Sequence, residues 1–171
     1  MARQVFIAAA GFAALAFSQA SQAQVNQHGY TLPLDLALAA AQEAEHVCAA
    51  RGYPVTVTVV DVDGVQQVVL RGDHSTIHTR DSSFRKAYTV VTVGPINNWQ
   101  TTRAFAEAVQ KSPLATQLTT LPNVLALPGG VAIVANGETV AGIGVGGAPG
   151  TENDEACALA GIARIKDQLP K

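Results

Sequence analysis

The chain has 171 residues, with 11 Lys and Arg against 13 Asp and Glu, and a formal charge of −2 at neutral pH. A mildly acidic chain with 14% charged residues and no basic stripe excludes a nucleic-acid partner, because phosphate binding needs clustered Lys and Arg. Its length suits a leader followed by one ordinary domain.

The chain opens with Arg3 and an uncharged apolar stretch from Phe6 to Phe17. Ser21-Gln22-Ala23 then offers small residues at the positions a signal peptidase requires, with Ser18-Gln19-Ala20 as a second possible cut. Residues 1–23 therefore read as a secretory signal peptide, and residues 24–171 as one exported domain, periplasmic or secreted. The apolar run is too short for a membrane span, which needs ~20 residues. No later stretch qualifies, so the mature chain is expected to have no transmembrane segment.

Leu34, Leu38, Ala41, Ala44 and Val47 or Cys48 recur at helical spacing over 33–51, and Gly52 supplies the stop. A β-branched run over 55–60, the Asp63-Gly64 turn and a returning run over 65–71 predict a hairpin. A polar stretch leads to a helix over about 81–93, which Gly94-Pro95 is expected to break. Asn97 or Asn98 caps another helix, over 99–111. Ser112-Pro113 and Leu121-Pro122 bracket a short helix or turn, and 124–127 reads as a short strand. Two further strands, 131–135 and 138–145, are joined by Asn136-Gly137, and a last helix covers about 153–169. The expected order is α-β-β-α-α-β-β-β-α, an α/β (α+β) domain with helices on both faces of an antiparallel sheet. Cys48 and Cys157 each fall in an apolar helical pattern. They read as buried free thiols in preference to a disulfide, which export also permits.

Gly142-Ile-Gly144-Val-Gly146-Gly147 contains G-x-G-x-x-G, but a dinucleotide loop needs a following βαβ unit, and only one helix remains. Strand alternation places Gly142, Gly144 and Gly146 on one face. That bare face suits either close helix packing or a flat ligand. The last helix begins near Asp154 and Glu155, where free N–H groups can hold an anion or be capped. His74 and His78 lack a third ligand at suitable spacing, which leaves one imidazole as a possible contact to a macrocyclic metal. Glu43, Glu45 and His46 read as a solvated helix face, with surface iron capture as the alternative. Lys86 sits in an apolar helix and either meets a ligand carboxylate or extends to solvent. No nucleophile elbow or Cys/His pair is present, which favours a binding protein over an enzyme.

Several ordered segments resemble the GlcG/HbpS family of haem-binding proteins and the C-terminal domain of PduO-type proteins. They are Val57-Thr-Val-Val-Asp61-x-Asp63-Gly64, Leu70-Arg71-Gly-Asp73, His78-Thr79 leading to Arg85-Lys86-Ala87-Tyr88-Thr89, Leu125-Ala-Leu127-x-Gly129-Gly130, and Ala141-Gly-Ile-Gly-Val-Gly146-Gly-Ala-Pro149 followed by Asp154-Glu155-Ala156. The resemblance implies a profilin-like three-layer α/β/α fold with a five-stranded antiparallel sheet, homo-oligomers, and binding of haem or iron. It also implies a ligand pocket drawn from Arg71, Lys86, Gly129, Gly130, Asp154 and Glu155, beside the Gly144 face. Members often carry a Pro-Thr pair after the Lys-Ala-x-Thr helix. Here Asn97 stands near the threonine's place, Thr102 lies slightly beyond, and His78 becomes the candidate axial ligand. The resulting expectation is an exported homo-oligomeric binder of haem or another tetrapyrrole. A binder or enzyme for a small hydroxy acid, using Lys86 and Asp154/Glu155, is the alternative, and a structural accessory subunit is a third.

Overall fold

The computed structural model describes residues 29–171, so the leader expected at 1–23 lies outside it. Helix α1 (Leu34–Ala50) buries Leu36, Ala37, Ala40, Ala41, Ala44 and Cys48 along one stripe. Strands β1 (Thr56–Asp61) and β2 (Gln66–Arg71) pair antiparallel. Their turn is closed by Asp61 Oδ1, which accepts the N–H groups of Asp63 at 3.0 Å and Val65 at 2.9 Å. Helix α2 (Ile77–Asn97) crosses the sheet and is followed by α3 (Thr102–Lys111) and α4 (Pro113–Gln117). Strands β3 (Gly130–Ala135) and β4 (Glu138–Gly146) form the second hairpin, and α5 (Thr151–Ile165) closes the fold.

The sheet has four strands in the order β2-β1-β4-β3, all antiparallel, and not the five expected. The missing strand is 124–127. Its first two residues are tied to side chains of α2 and to the preceding turn: Leu125 N–H donates to Thr89 Oγ1 at 2.9 Å, Val124 O accepts from Arg85 Nη2 at 2.9 Å, and Val124 N–H donates to Leu121 O. A segment whose polar groups are met by a helix has no need of a neighbouring strand.

Three layers result. Val57, Val59, Ile133, Ile143 and Val145 project to one face and pack under α1 and α5. The opposite face carries Val60 and Ala132 against Ala87, Val90 and Val91 of α2. Gly142, Gly144 and Gly146 lie on this second face, and α2 rests directly on them. A Cβ on Gly144 would stand 2.1 Å from Ser83 O, and one on Gly142 2.6 Å from Ala87 O. The bare face is therefore a seat for a helix, and the reading of it as a ligand platform is corrected. Hydroxyls hold the same contact: Thr58 meets Ser83 at 2.8 Å, and Thr56 meets Ser75 at 3.0 Å and Thr79 at 2.7 Å. The G-x-G-x-x-G run accordingly lies along β4 and its exit, not in a phosphate-binding loop.

Two further expectations change. Helix α2 runs through Gly94-Pro95 and ends at Asn98, whose left-handed φ of 58° terminates it. Proline disfavours a helical residue before it through that residue's N–H and Cβ, and Gly94 lacks the Cβ. Cys48 and Cys157 form a disulfide, with Cα atoms 5.8 Å apart, and are not free thiols. Close packing of α1 on α5 brings them together. Gly161 permits it, since a Cβ there would stand 2.4 Å from Ala40 O.

Candidate functional site

Six of the residues singled out in the sequence converge where α2, α3 and α5 meet the end of β4. Lys86 is 2% exposed; its ammonium donates to Asp154 Oδ2 at 2.7 Å and to Val145 O at 2.9 Å. Asp154, in the first turn of α5, accepts the N–H of Ala148 at 2.9 Å through its other oxygen. Burial raises the Asp154 carboxyl above its ordinary value, while the Lys86 charge and the Ala148 and Gly147 N–H groups pull it back. Gly129, at φ +122°, makes room for the pair: a Cβ there would lie 2.8 Å from both Lys86 Nζ and Asp154 Cβ. Gly130 N–H donates to Thr102 Oγ1 at 2.9 Å. Next to it, Arg103 Nε reaches both Glu155 oxygens at 3.1 Å. Arg103 was missed in the sequence because nothing local marks a contact between α3 and α5.

This cluster is internally satisfied. The Lys86 cation is spent on Asp154, and Asp154 itself accepts the Ala148 and Gly147 N–H groups of the loop between β4 and α5. An incoming carboxylate would have to displace a buried side chain from both.

The other singled-out residues lie elsewhere. Arg71 donates to the Ser75 carbonyl and borders a shallow recess of about 340 Å³ with Gln42, Glu45 and Asp73. His78 is exposed, its Nδ1 3.1 Å from Thr76 Oγ1. Gly144 is covered by α2. Among the described residues no group of three or more His, Cys, Asp or Glu side chains is arranged to hold a metal ion, Glu43, Glu45 and His46 included.

Asn97 marks a different place. It lies at the far end of α2 from His78, about 28 Å away at 1.5 Å per helical residue. There Asn97, Trp99, Ala108, Leu114, Ala115 and Leu118 line an apolar groove of about 500 Å³ between α2, α3 and α4. Trp99 stacks on Phe105 with ring centroids 5.0 Å apart, which fixes the groove's inner wall. Leu114 on its rim is 79% exposed, and Ile96, beside Asn97 in sequence, is 83% exposed. Asn97 Nδ2 donates to Val93 O at 2.8 Å, so its amide oxygen remains as an acceptor. Ser112 adds a hydroxyl to the lining. The sequence signal was present, as Trp99, Leu114 and Leu118 around a proline-started turn, but only the fold joins them.

A family model described as "Haem degrading protein HbpS-like" matches residues 32–163. An uncharacterized 15.0 kDa protein from the dhaT-dhaS intergenic region of Citrobacter freundii is 30% identical over 119 residues, covering 68% of this chain and 80% of that protein. The crystal structure of a Streptomyces reticuli HbpS double mutant superposes with a TM-score of 0.73 at 36% identity, covering 91% of this chain and 97% of the other. The crystal structure of a PduOC–heme complex shares the fold, with a TM-score of 0.69 at 24% identity, covering 80% of this chain and 96% of the other.

Proposed function

The chain belongs to the HbpS-like family, and from that premise we propose that it is an exported, homo-oligomeric binding protein for haem or a similar tetrapyrrole. The observation that carries this reading is the apolar groove beside Asn97. Its volume of about 500 Å³ lies within the usual range for small-molecule sites, and its walls are apolar side chains with a few polar groups at the rim. A flat macrocycle needs such a lining. Lys111 follows Ala108 by three residues on α3, a spacing that puts it on the groove side, where a propionate would find it. No His, Cys or Met lines the groove, so the Asn97 and Gln117 amides and the Ser112 hydroxyl are the groups able to face a haem metal. Haem itself would supply the redox-active iron, while these residues hold and shield the ring. Iron enters this reading only as the haem metal.

Export is supported by the leader-like residues 1–23 and by the Cys48–Cys157 disulfide, which suits an oxidising compartment. Self-association is supported by β2, an edge strand of the sheet that carries exposed Val69, and by exposed Val62 and Val65 in the turn before it. The hydroxy-acid reading loses its cation, because Lys86 is buried against Asp154.

Titration of purified protein with ferric haem tests the proposal. A shifted Soret band that saturates supports it. An unchanged free-haem spectrum at stoichiometric protein contradicts it.

A further inference from the structure

On the other side of Trp99 lies a second recess, of about 440 Å³, between the last turn of α2 and the β3–β4 hairpin. It is lined by Pro95, Asn98, Trp99, Gln100, Glu138 and Thr139, with the backbones of Gly94 and Gly137 between them. Its chemistry differs from that of the apolar groove. No Lys, Arg or His lines it, so an anionic ligand finds no counter-charge. A single carboxylate is too little for a metal ion. Two primary amides, one hydroxyl and one carboxylate can each accept hydrogen bonds, and all but the carboxylate can also donate. Pro95 and Trp99 provide an apolar strip beside them.

We propose that this recess binds a neutral polyhydroxylated ligand with the chemistry of a sugar ring. Such a ring presents hydroxyls around its edge and C–H groups on its face, matching amides around an apolar strip. Among the described residues the side chains of Asn98, Gln100, Glu138 and Thr139 have no hydrogen-bond partners, so water holds their places until sugar hydroxyls replace it. The backbone beneath these side chains is preformed. Asn98 is fixed by its left-handed φ and its N–H bond to Gly94 O. Gln100 O accepts the N–H of Ala132 at 2.8 Å, and Thr101 bridges to Val131, which ties this connector to the edge of β3. The Trp99 ring is backed by Phe105. A preordered site loses less entropy on binding than one that must assemble.

Trp99 is the only tryptophan in the chain and lines both this recess and the apolar groove, so its emission reports binding and the variants below say at which of the two. Haem-free protein is titrated with glucose, N-acetylglucosamine and cellobiose, and with methyl glucoside to separate a free sugar from the end of a chain. At least one should give a saturable change in emission at millimolar concentration. Asn98→Gly removes the amide while keeping a residue suited to positive φ, and Thr139→Val removes the hydroxyl. Each should weaken binding about tenfold. Leu114→Asp, which alters only the apolar groove, should leave sugar binding unchanged whether or not haem binds there. Absence of saturation with every sugar, an identical response in Asn98→Gly and Thr139→Val, or saturation by choline in place of sugars would each overturn the assignment.

Discussion

The Lys86 ammonium lies 2.7 Å from Asp154 Oδ2 with both side chains buried, and this pair fastens the middle of α2 to the first turn of α5. Removing one partner leaves the other charge without compensation away from water. Lys86→Met is expected to cost about 3–5 kcal/mol in urea unfolding. The double variant Lys86→Met/Asp154→Leu should recover most of that loss, since an apolar pair replaces an ionic one. A loss below ~1 kcal/mol in Lys86→Met would show that the pair does not fasten the fold.

The titration of Asp154 follows from its burial. Desolvation holds the folded carboxyl above its ordinary value of 3.8, against the opposing pull of Lys86 and of the Ala148 and Gly147 N–H groups. Between the raised folded value and 3.8 the native state carries more protons than the unfolded chain. The contribution of this group to stability therefore grows as pH falls through that window. Carbon-13 titration of the Asp154 carboxyl should give a midpoint above 3.8. Relative to Asp154→Asn, the wild type should gain stability as the pH is lowered through the window. A midpoint below the ordinary value contradicts this account.

The Cys48–Cys157 bond spans 109 residues and joins α1 to α5 beneath the sheet. Its main effect is to restrict the unfolded chain. The Cys48→Ala/Cys157→Ala variant should lose about 2–5 kcal/mol in denaturant unfolding. Thiol titration of the unreduced, unfolded wild type should find no free thiol. Two free thiols per chain would restore the reading that the sequence alone favoured.

Gly144 is the tightest point under α2. A methyl group there would collide with Ser83 O and Ala87 N, both backbone atoms that cannot swing aside. Gly144→Ala should therefore lift α2 from the sheet, at a cost of about 3 kcal/mol or more, and expose the Thr58–Ser83 contact. Gly137→Ala, in a turn with open space around its Cα, carries only the penalty of its positive φ and should cost less. Equal losses for the two, measured by thermal unfolding, would contradict close packing as the reason for the glycine row.

Local patterns made much of the fold legible. The small apolar stripe of α1 and the two hairpins, with Asp63-Gly64 and Asn136-Gly137 at their turns, were readable because each is decided within a few residues. What escaped the sequence depends on neighbours distant along the chain. Arg85 and Thr89 satisfy the backbone of 124–125 and so remove a strand. The approach of α1 to α5 decides the fate of two cysteines. The same limit applies to the site. Lys86 and Asp154 were each visible, but their mutual pairing, which withdraws both from a ligand, was not. Asn97 was flagged through a family pattern, whereas the groove around it exists only once α4 folds back beside Trp99.

The central claim, that a tetrapyrrole occupies the apolar groove at the Asn97 end of α2, is tested most directly by haem titration of two surface variants. Burying an exposed leucine against a ligand contributes roughly 1.5–3 kcal/mol, so Leu114→Asp should weaken haem binding tenfold or more without loss of fold. His78→Ala, at the opposite end of the helix, should bind haem as the wild type does, with the same Soret shift. Loss of the Soret shift in His78→Ala, together with unaltered binding in Leu114→Asp, would contradict the claim and move the site to the other end of α2.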